Sequence, residues 1–226
     1  MESGSEPARD GVRGACYPAL VRAAMPRSRS SPYKRPDHFT REAKKAGFPA
    51  RSVFKLEEID RRLHLLRPGM RVLDLGAAPG SWSLYAAQKI GPTGRLLAVD
   101  LSPLGTVLPL HATFLQGDAL SLEDAAVSGL APYDVVLSDM APRTTGTKGV
   151  DQARSFELFM RALAVAGKLL APRGSFVGKI FMSEDLKTAR ASLKELFGEE
   201  RLVRPEGTRS VSTELFVVGL ERKMAS

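Results

Sequence analysis

Arg71-Val-Leu-Asp-Leu-Gly-Ala-Ala-Pro-Gly-Ser-Trp82 is the stretch that decides the fold. Val72, Leu73 and Leu75 make a short apolar run around one acid, Asp74, and the run breaks into Gly76-Ala-Ala-Pro-Gly80. Ser81 can then cap a helix that continues through Trp82 to Gln88. A buried parallel strand, a glycine turn and a helix form the opening unit of a doubly wound α/β nucleotide-binding fold. Gly76 and Gly80 let the backbone approach a ligand where a Cβ would block it, and the helix start presents unpaired N–H groups there. The spacing is neither the dinucleotide G-x-G-x-x-G nor a Lys-Ser/Thr phosphate loop. A short G-x-x-P-G turn therefore suits a ligand without a phosphate; taken alone, it also reads as a tight structural turn.

Upstream of this stretch the chain is basic. From Arg27 to Lys55 stand Arg27, Arg29, Lys34, Arg35, Arg41, Lys44, Lys45, Arg51 and Lys55 against only Asp37 and Glu42, with Tyr33, His38, Phe39 and Phe48 interleaved. That is the composition of an RNA-contacting face, and the net charge of +8 agrees with a polyanionic partner. Residues 1–24 carry no sustained period and are expected to be mobile. Residues 26–36 form a basic, proline-extended linker. The expected organisation is thus a flexible basic extension over 1–36 and one domain over 37–226, with helices from Asp37 or Thr40 to Gly47 and from Arg51 to Leu65. In the second helix Val53, Leu56, Ile59 and Leu63 mark an apolar stripe.

Downstream, β and α patterns alternate. Strands are expected at 95–100, 113–116, 133–138, 175–179, around 201–203 and at 213–220. Helices are expected at 81–90, near 121–129, from about Asp151 to Leu170, and at 184–197, with a Thr/Gly-rich loop at 143–152 and a turn at Ala171-Pro-Arg-Gly174. This predicts an α/β, Rossmann-like doubly wound sheet of seven strands, mostly parallel, with helices on both faces. The short link between the last two strands permits an antiparallel final strand. No apolar run approaches the roughly 20 residues of a membrane span, and no secretory signal is seen. The single cysteine, Cys16, excludes a disulfide framework and a cysteine-rich zinc site. A cytoplasmic protein is expected.

Ligands of open α/β sheets bind beyond the C-terminal ends of the parallel strands, and polar residues gather at those ends. Asp100 closes the second strand, where an acid accepts from ribose hydroxyls. Asp118 follows the third, in reach of an adenine amino group. Asp139 follows the fourth, and Lys179 ends the fifth. Together with Gly80 and Trp82 they outline a site for a phosphate-free nucleoside such as S-adenosylmethionine. If the last strand is antiparallel, its N-terminal end brings Glu214 to this same edge. Lys55, on the helix before the first strand, can reach over it. Two cations and two anions converge; paired charges are tolerable where lone buried ones are not. A structural ion-pair network is the competing explanation.

Arg51-Ser-Val-Phe-Lys-Leu56, Asp74-Leu-Gly-Ala-Ala-Pro-Gly80 with Trp82, Ser138-Asp-Met-Ala-Pro142, Gly174-Ser-Phe-Val-Gly-Lys179 and Ser212-Thr-Glu-Leu215 together resemble the FtsJ/RrmJ (RlmE) family. Its members are S-adenosylmethionine-dependent RNA ribose 2′-O-methyltransferases of the class I fold. The resemblance implies a catalytic set at Lys55, Asp139, Lys179 and Glu214, and cofactor contacts at Gly80, Trp82, Asp100, Asp118 and Asp139, with no metal required. It further implies a uridine of large-subunit rRNA as acceptor, within the 50S particle, and a monomer that binds neither DNA nor membrane. A tRNA or another RNA is the alternative substrate, and a non-catalytic RNA-binding assembly factor the alternative class. Two features depart from the family pattern: Ser81 stands where bacterial members often have a second glycine, and the first 35 or so residues have no counterpart in the shortest members.

Neutralising the Arg and Lys residues of 27–51 is expected to weaken RNA binding and to flatten its dependence on salt, because each lost phosphate contact lowers the slope of log affinity against log salt. Affinity that stays unchanged across a salt titration would show that the segment is not a contact surface.

Overall fold

The structure, a computed structural model, describes residues 38–119, 127–206 and 213–224. The basic extension over 1–36, most of the helix expected at 121–129 and most of the loop expected at 205–212 lie outside the described residues. Two helices, α1 (His38–Lys45) and α2 (Val53–Leu63), precede the sheet. The stripe read in the sequence is buried at Val53, Leu56 and Ile59. α2 ends in a left-handed His64, whose N–H donates to the Asp60 carbonyl. The buried Asp60 carboxylate accepts from Leu66 N–H and from the Tyr85 hydroxyl, both at 2.9 Å, so it fixes the exit of α2.

The sheet then alternates with helices: β1 (Arg71–Leu75), α3 (Ser81–Ile90), β2 (Arg95–Asp100), β3 (Ala112–Gln116), β4 (Tyr133–Ser138), α4 (Lys148–Leu169), β5 (Leu170–Phe181), α5 (Leu186–Leu196), β6 (Phe197–Val203) and β7 (Glu214–Arg222). The seven strands lie in the order β3-β2-β1-β4-β5-β7-β6. The first five are parallel, and β7 runs antiparallel to both neighbours. The doubly wound, mostly parallel sheet predicted from the alternation is the one observed.

β1 is central, paired with β2 and β4, and its residues alternate between two cores. Val72 points to the side packed by Val53, Leu56, Ile59 and Trp82 of α2 and α3. Leu73 and Leu75 point to the side packed by Phe159 and Leu163 of α4 and Leu193 of α5. The turn expected at 171–174 is present, but inside β5 rather than before it. Leu170 already pairs with Tyr133, and the next registered pair is Ser175 with Val135, so five steps on β5 oppose two on β4. Arg173 takes a left-handed φ of 66° there.

On the α4 side the rings of Phe159, Phe176 and Phe197 pack in series, the first two edge-on with centroids 5.6 Å apart and the last two stacked at 6.3 Å. Gly219 on β7 leaves room for the last of them, since a Cβ would stand 2.5 Å from the Phe197 ring. Gly219→Ala is therefore expected to destabilise the fold by about 1–3 kcal/mol through overpacking, as a lower urea midpoint with an unchanged m-value.

Candidate active site

The C-terminal ends of β1, β2 and β4 open onto a cavity of about 440 Å³, a volume in the range that holds a drug-sized ligand. Gly76 and Ala78 of the glycine loop line it, with Asp100, Leu101 and Ser102 after β2, Asp118 after β3, Asp139 and Met140 after β4, Leu158 of α4, and Lys179 of β5. Gly76 has a φ of 79°, and a Cβ there would stand 2.8 Å from the Met140 backbone nitrogen. Glycine is thus required where the loops after β1 and β4 meet.

Asp100 does local work as well as facing the cavity. Its carboxylate accepts from Ala78 N–H at 2.9 Å and from Ser102 N–H at 2.8 Å, tying the glycine loop to the loop after β2. Gly80 also has a left-handed backbone, φ 107°, and packs against the Thr106 and Leu104 side chains rather than the cavity. Trp82, expected among the cofactor contacts, does not line the cavity. It is buried, its ring 5.5 Å from Phe216, and its Nε1 donates to the Ser52 carbonyl at 2.8 Å. As the second residue of α3, it follows the apolar stripe into the α2 side of the core. The polar ring nitrogen finds its acceptor there.

At the rim of the cavity, Lys179 Nζ donates to Asp139 Oδ1 at 2.8 Å and to the Asp139 carbonyl. Beside this pair, Lys55 Nζ is ion-paired with Glu214 Oε2 and lies 5.9 Å from the centre of the Phe216 ring. Both lysines are buried, at 8% and 6% exposure, so each needs the carboxylate it has. The register of β5 on β7 explains the convergence. Lys179 lies opposite Phe216 and Phe181 opposite Glu214, so Lys179 and Glu214 share one face of adjacent antiparallel strands. The four residues expected to converge therefore meet, as two ion pairs: Asp139 with Lys179, and Lys55 with Glu214.

Residues that sequence reasoning did not assign also belong to the cavity's polar and apolar walls, Met140, Ser102 and Leu158 among them. Met140 directly follows Asp139, a cue available in the sequence. Leu158 sits within a long helix, and nothing in its pattern marks it.

The cavity's polar side is anionic. Asp100, Asp118 and Asp139 line it, and among the described residues Lys179 is the one cation in the lining, so a phosphate-bearing nucleotide would meet like charge. A cationic, phosphate-free nucleoside fits this donor and acceptor set.

Comparison with known proteins agrees with this fold. The family model for FtsJ-like methyltransferase matches residues 48–222. The Sorangium cellulosum protein named ribosomal RNA large subunit methyltransferase E is 66% identical over 204 residues, covering 90% of this chain and 96% of that one. A protein of the same name from Bdellovibrio bacteriovorus is 49% identical, covering 84% of this chain and 99% of its own. Among solved structures, a Plasmodium falciparum chain described as a ribosomal RNA methyltransferase superposes with a TM-score of 0.69 at 19% identity, over 79% of this chain and all of that one. Aeropyrum pernix fibrillarin, solved with natively bound S-adenosyl-L-methionine, superposes with a TM-score of 0.54 at 20% identity, over 69% of this chain and 68% of its own. At those identities the two structures speak for the fold.

Beneath the cavity, Asp74 of β1 is fully buried. Its Oδ2 accepts from the Ser83 hydroxyl at 2.6 Å, and its Oδ1 has no partner among the described residues. Burial raises its pKa to about 7; the Ser83 hydrogen bond lowers it, and the charges of Asp139 and Asp100 add to the rise. The folded chain thus holds this proton to near neutrality, whereas the unfolded chain releases it near the ordinary value of 3.8. Asp74 therefore costs no stability below pH ~4 and an increasing amount as pH rises towards 7. Asp74→Asn, which keeps an acceptor for Ser83, is expected to gain stability relative to wild type between pH 5 and 8 in urea melts. Parallel stability profiles would refute the assignment.

Proposed function

This chain belongs to the FtsJ-like methyltransferase family, and from that premise we propose that it methylates the ribose 2′-hydroxyl of a uridine in large-subunit rRNA. The donor is S-adenosylmethionine and the acceptor is presented within the 50S particle, late in its assembly. The enzyme works as a cytoplasmic monomer. The observation that carries the reading is the Asp139–Lys179 ion pair at the rim of an otherwise anionic cavity, with Lys55–Glu214 beside it. Support for the acceptor class comes from relatives 44–66% identical over most of this chain, all named as large-subunit ribosomal RNA methyltransferases.

S-adenosylmethionine, when bound, supplies a methyl group already activated on a positively charged sulfur. Asp100 and Asp118 are the residues to hold its ribose hydroxyls and adenine, and Asp139 its methionine end. Lys179 acts on the acceptor. A lysine ammonium has three N–H donors; two are taken by Asp139, through Oδ1 and the main-chain carbonyl. The third is left to hold the ribose 2′-oxygen, aiming its free lone pair at the methyl carbon. Lys55 and Glu214 orient the ribose and balance charge. The oxygen–carbon bond forms as the carbon–sulfur bond breaks, and the hydroxyl proton leaves to water once the oxygen has become strongly acidic. Holding the reacting atoms in line is the enzyme's principal task, and alignment of this kind supplies roughly 7–11 kcal/mol of a barrier.

Lys179→Ala is expected to lower methyl transfer by at least about 100-fold while leaving S-adenosylmethionine affinity nearly intact. The assay is transfer of labelled methyl to 50S subunits and to total RNA, with the modified nucleotide mapped. Full activity in the variant would remove Lys179 from the mechanism. Label mapped to tRNA would change the substrate, and no label in any RNA would favour a non-catalytic assembly factor.

A further inference from the structure

The segment between α1 and α2 is held by the start of α3, thirty residues later. Ala50 N–H donates to Ser81 Oγ at 2.8 Å, and the same hydroxyl donates to the Ala50 carbonyl at 3.0 Å. One side chain thus satisfies both main-chain groups of one residue. Trp82 adds the hydrogen bond to the Ser52 carbonyl already described. Main-chain groups on both sides of Arg51 are therefore tied to the first two residues of α3. Ser81 is 1% exposed and Trp82 2%.

This latch joins two surfaces with different tasks. Residues 76 and 78 of the glycine loop line the cavity, and Ser81 begins the helix at the loop's end. On the other side, the latched segment leads within three residues of Ser52 to Lys55. The contact continues into the site, because the Trp82 ring packs on Phe216, the ring over which Lys55 Nζ sits. The loop after β2 closes the back of the same wall: Gly105 N–H donates to the Pro79 carbonyl at 2.9 Å, and a Cβ at Gly105 would touch both Pro79 and Pro49. The donor loop and the arm bearing Arg51 and Lys55 are thus two faces of one packed wall.

We infer that Ser81 is a positioning residue that couples the donor loop to the arm bearing Arg51 and Lys55, so that donor and RNA bind with linked affinities. The inference rests on the function proposed above. Ordering the loop around a ligand orders the arm through the Ser81 hydroxyl, and ordering the arm on RNA preforms the loop; such a linkage is reciprocal. Without the hydroxyl, the Ala50 N–H loses its partner and the Ala50 carbonyl keeps only the longer bond from Val53 N–H, at 3.4 Å, and either face can then settle without the other.

The test measures affinity of the full chain for a large-subunit rRNA transcript, with and without saturating S-adenosylhomocysteine, which occupies the donor site without reacting. Wild type is expected to bind RNA at least about fivefold tighter in its presence, within the range of ordinary coupling. Ser81→Ala and Ser81→Gly are expected to reduce that ratio below about twofold, and Ser81→Thr, which keeps the hydroxyl, to retain it. A purely structural defect lowers affinity in both arms and leaves the ratio alone. If Ser81→Ala does not fold, Trp82→Phe removes the N–H donor of the other half of the latch, with part of the buried ring, and the ratio is read the same way. A wild-type ratio in Ser81→Ala, or no ratio in a wild type that binds and methylates RNA, overturns the coupling alone. A wild type that binds neither RNA nor S-adenosylhomocysteine overturns the proposed function, and the coupling with it.

Discussion

Asp139 and Lys179 meet because β4 and β5 are in register. Ser138 lies opposite Gly178 in parallel pairing, and the ion pair is the next step beyond. A shift of one residue on β5 would send Lys179 to the opposite face of the sheet. Two buried faces resist that shift: Val177 packs on the α2 and α3 side, and Phe176 and Ile180 on the α4 and α5 side. The irregular stretch at 171–174 matters for the same reason. It takes up the extra residues at the far end of the strand, so that the register from Ser175 to Gly178 is undisturbed.

The charges around the cavity are arranged unequally. The two lysines are buried but paired, which makes their burial tolerable. The acids are gathered on one side with less compensation, and Asp74 beneath them shows the consequence, since the charges of Asp139 and Asp100 help to raise its pKa. A cationic ligand placed among Asp100, Asp118 and Asp139 offsets that repulsion; an anionic one compounds it. Selection between ligand classes therefore rests on the assembly of strand ends as a whole, with the glycine loop setting how closely the backbone can approach.

Much of this was legible in the sequence. The β–α alternation gave the sheet, and the acids and lysine at strand ends gave the edge on which Asp100, Asp118, Asp139 and Lys179 line the cavity. Glu214 followed from one topological inference, that the last strand is antiparallel. The direction of Trp82 was not legible, because an aromatic ring one step into a helix can turn to a ligand or to the core. What turns it inward is an acceptor, the Ser52 carbonyl, thirty residues away in sequence. How the four charged residues divide into pairs was equally out of reach. Residue types gave two cations and two anions; the placement of β5 beside β4 matches Asp139 to Lys179, and that of β7 beside β5 brings Glu214 to Lys55. The turn at Ala171-Pro-Arg-Gly174 was read correctly as local chemistry, but pairing on both sides of it made it a strand irregularity.

The order of the site residues along the chain has a consequence for how the site forms. Lys55 precedes the whole sheet and Glu214 begins its last strand, 159 residues later, yet they form one ion pair. β7 lies between β5 and β6, so its place in the sheet depends on the β5 edge. Until β7 is in place Lys55 lacks its carboxylate and Phe216 is missing from between Trp82 and Lys55, both of which pack on it. Contacts of such long sequence separation form late relative to local ones. Without β7, the glycine loop and the β4–β5 pair would supply lining of the cavity but not the Lys55–Glu214 pair beside it. The four charged residues come together only in the completed domain.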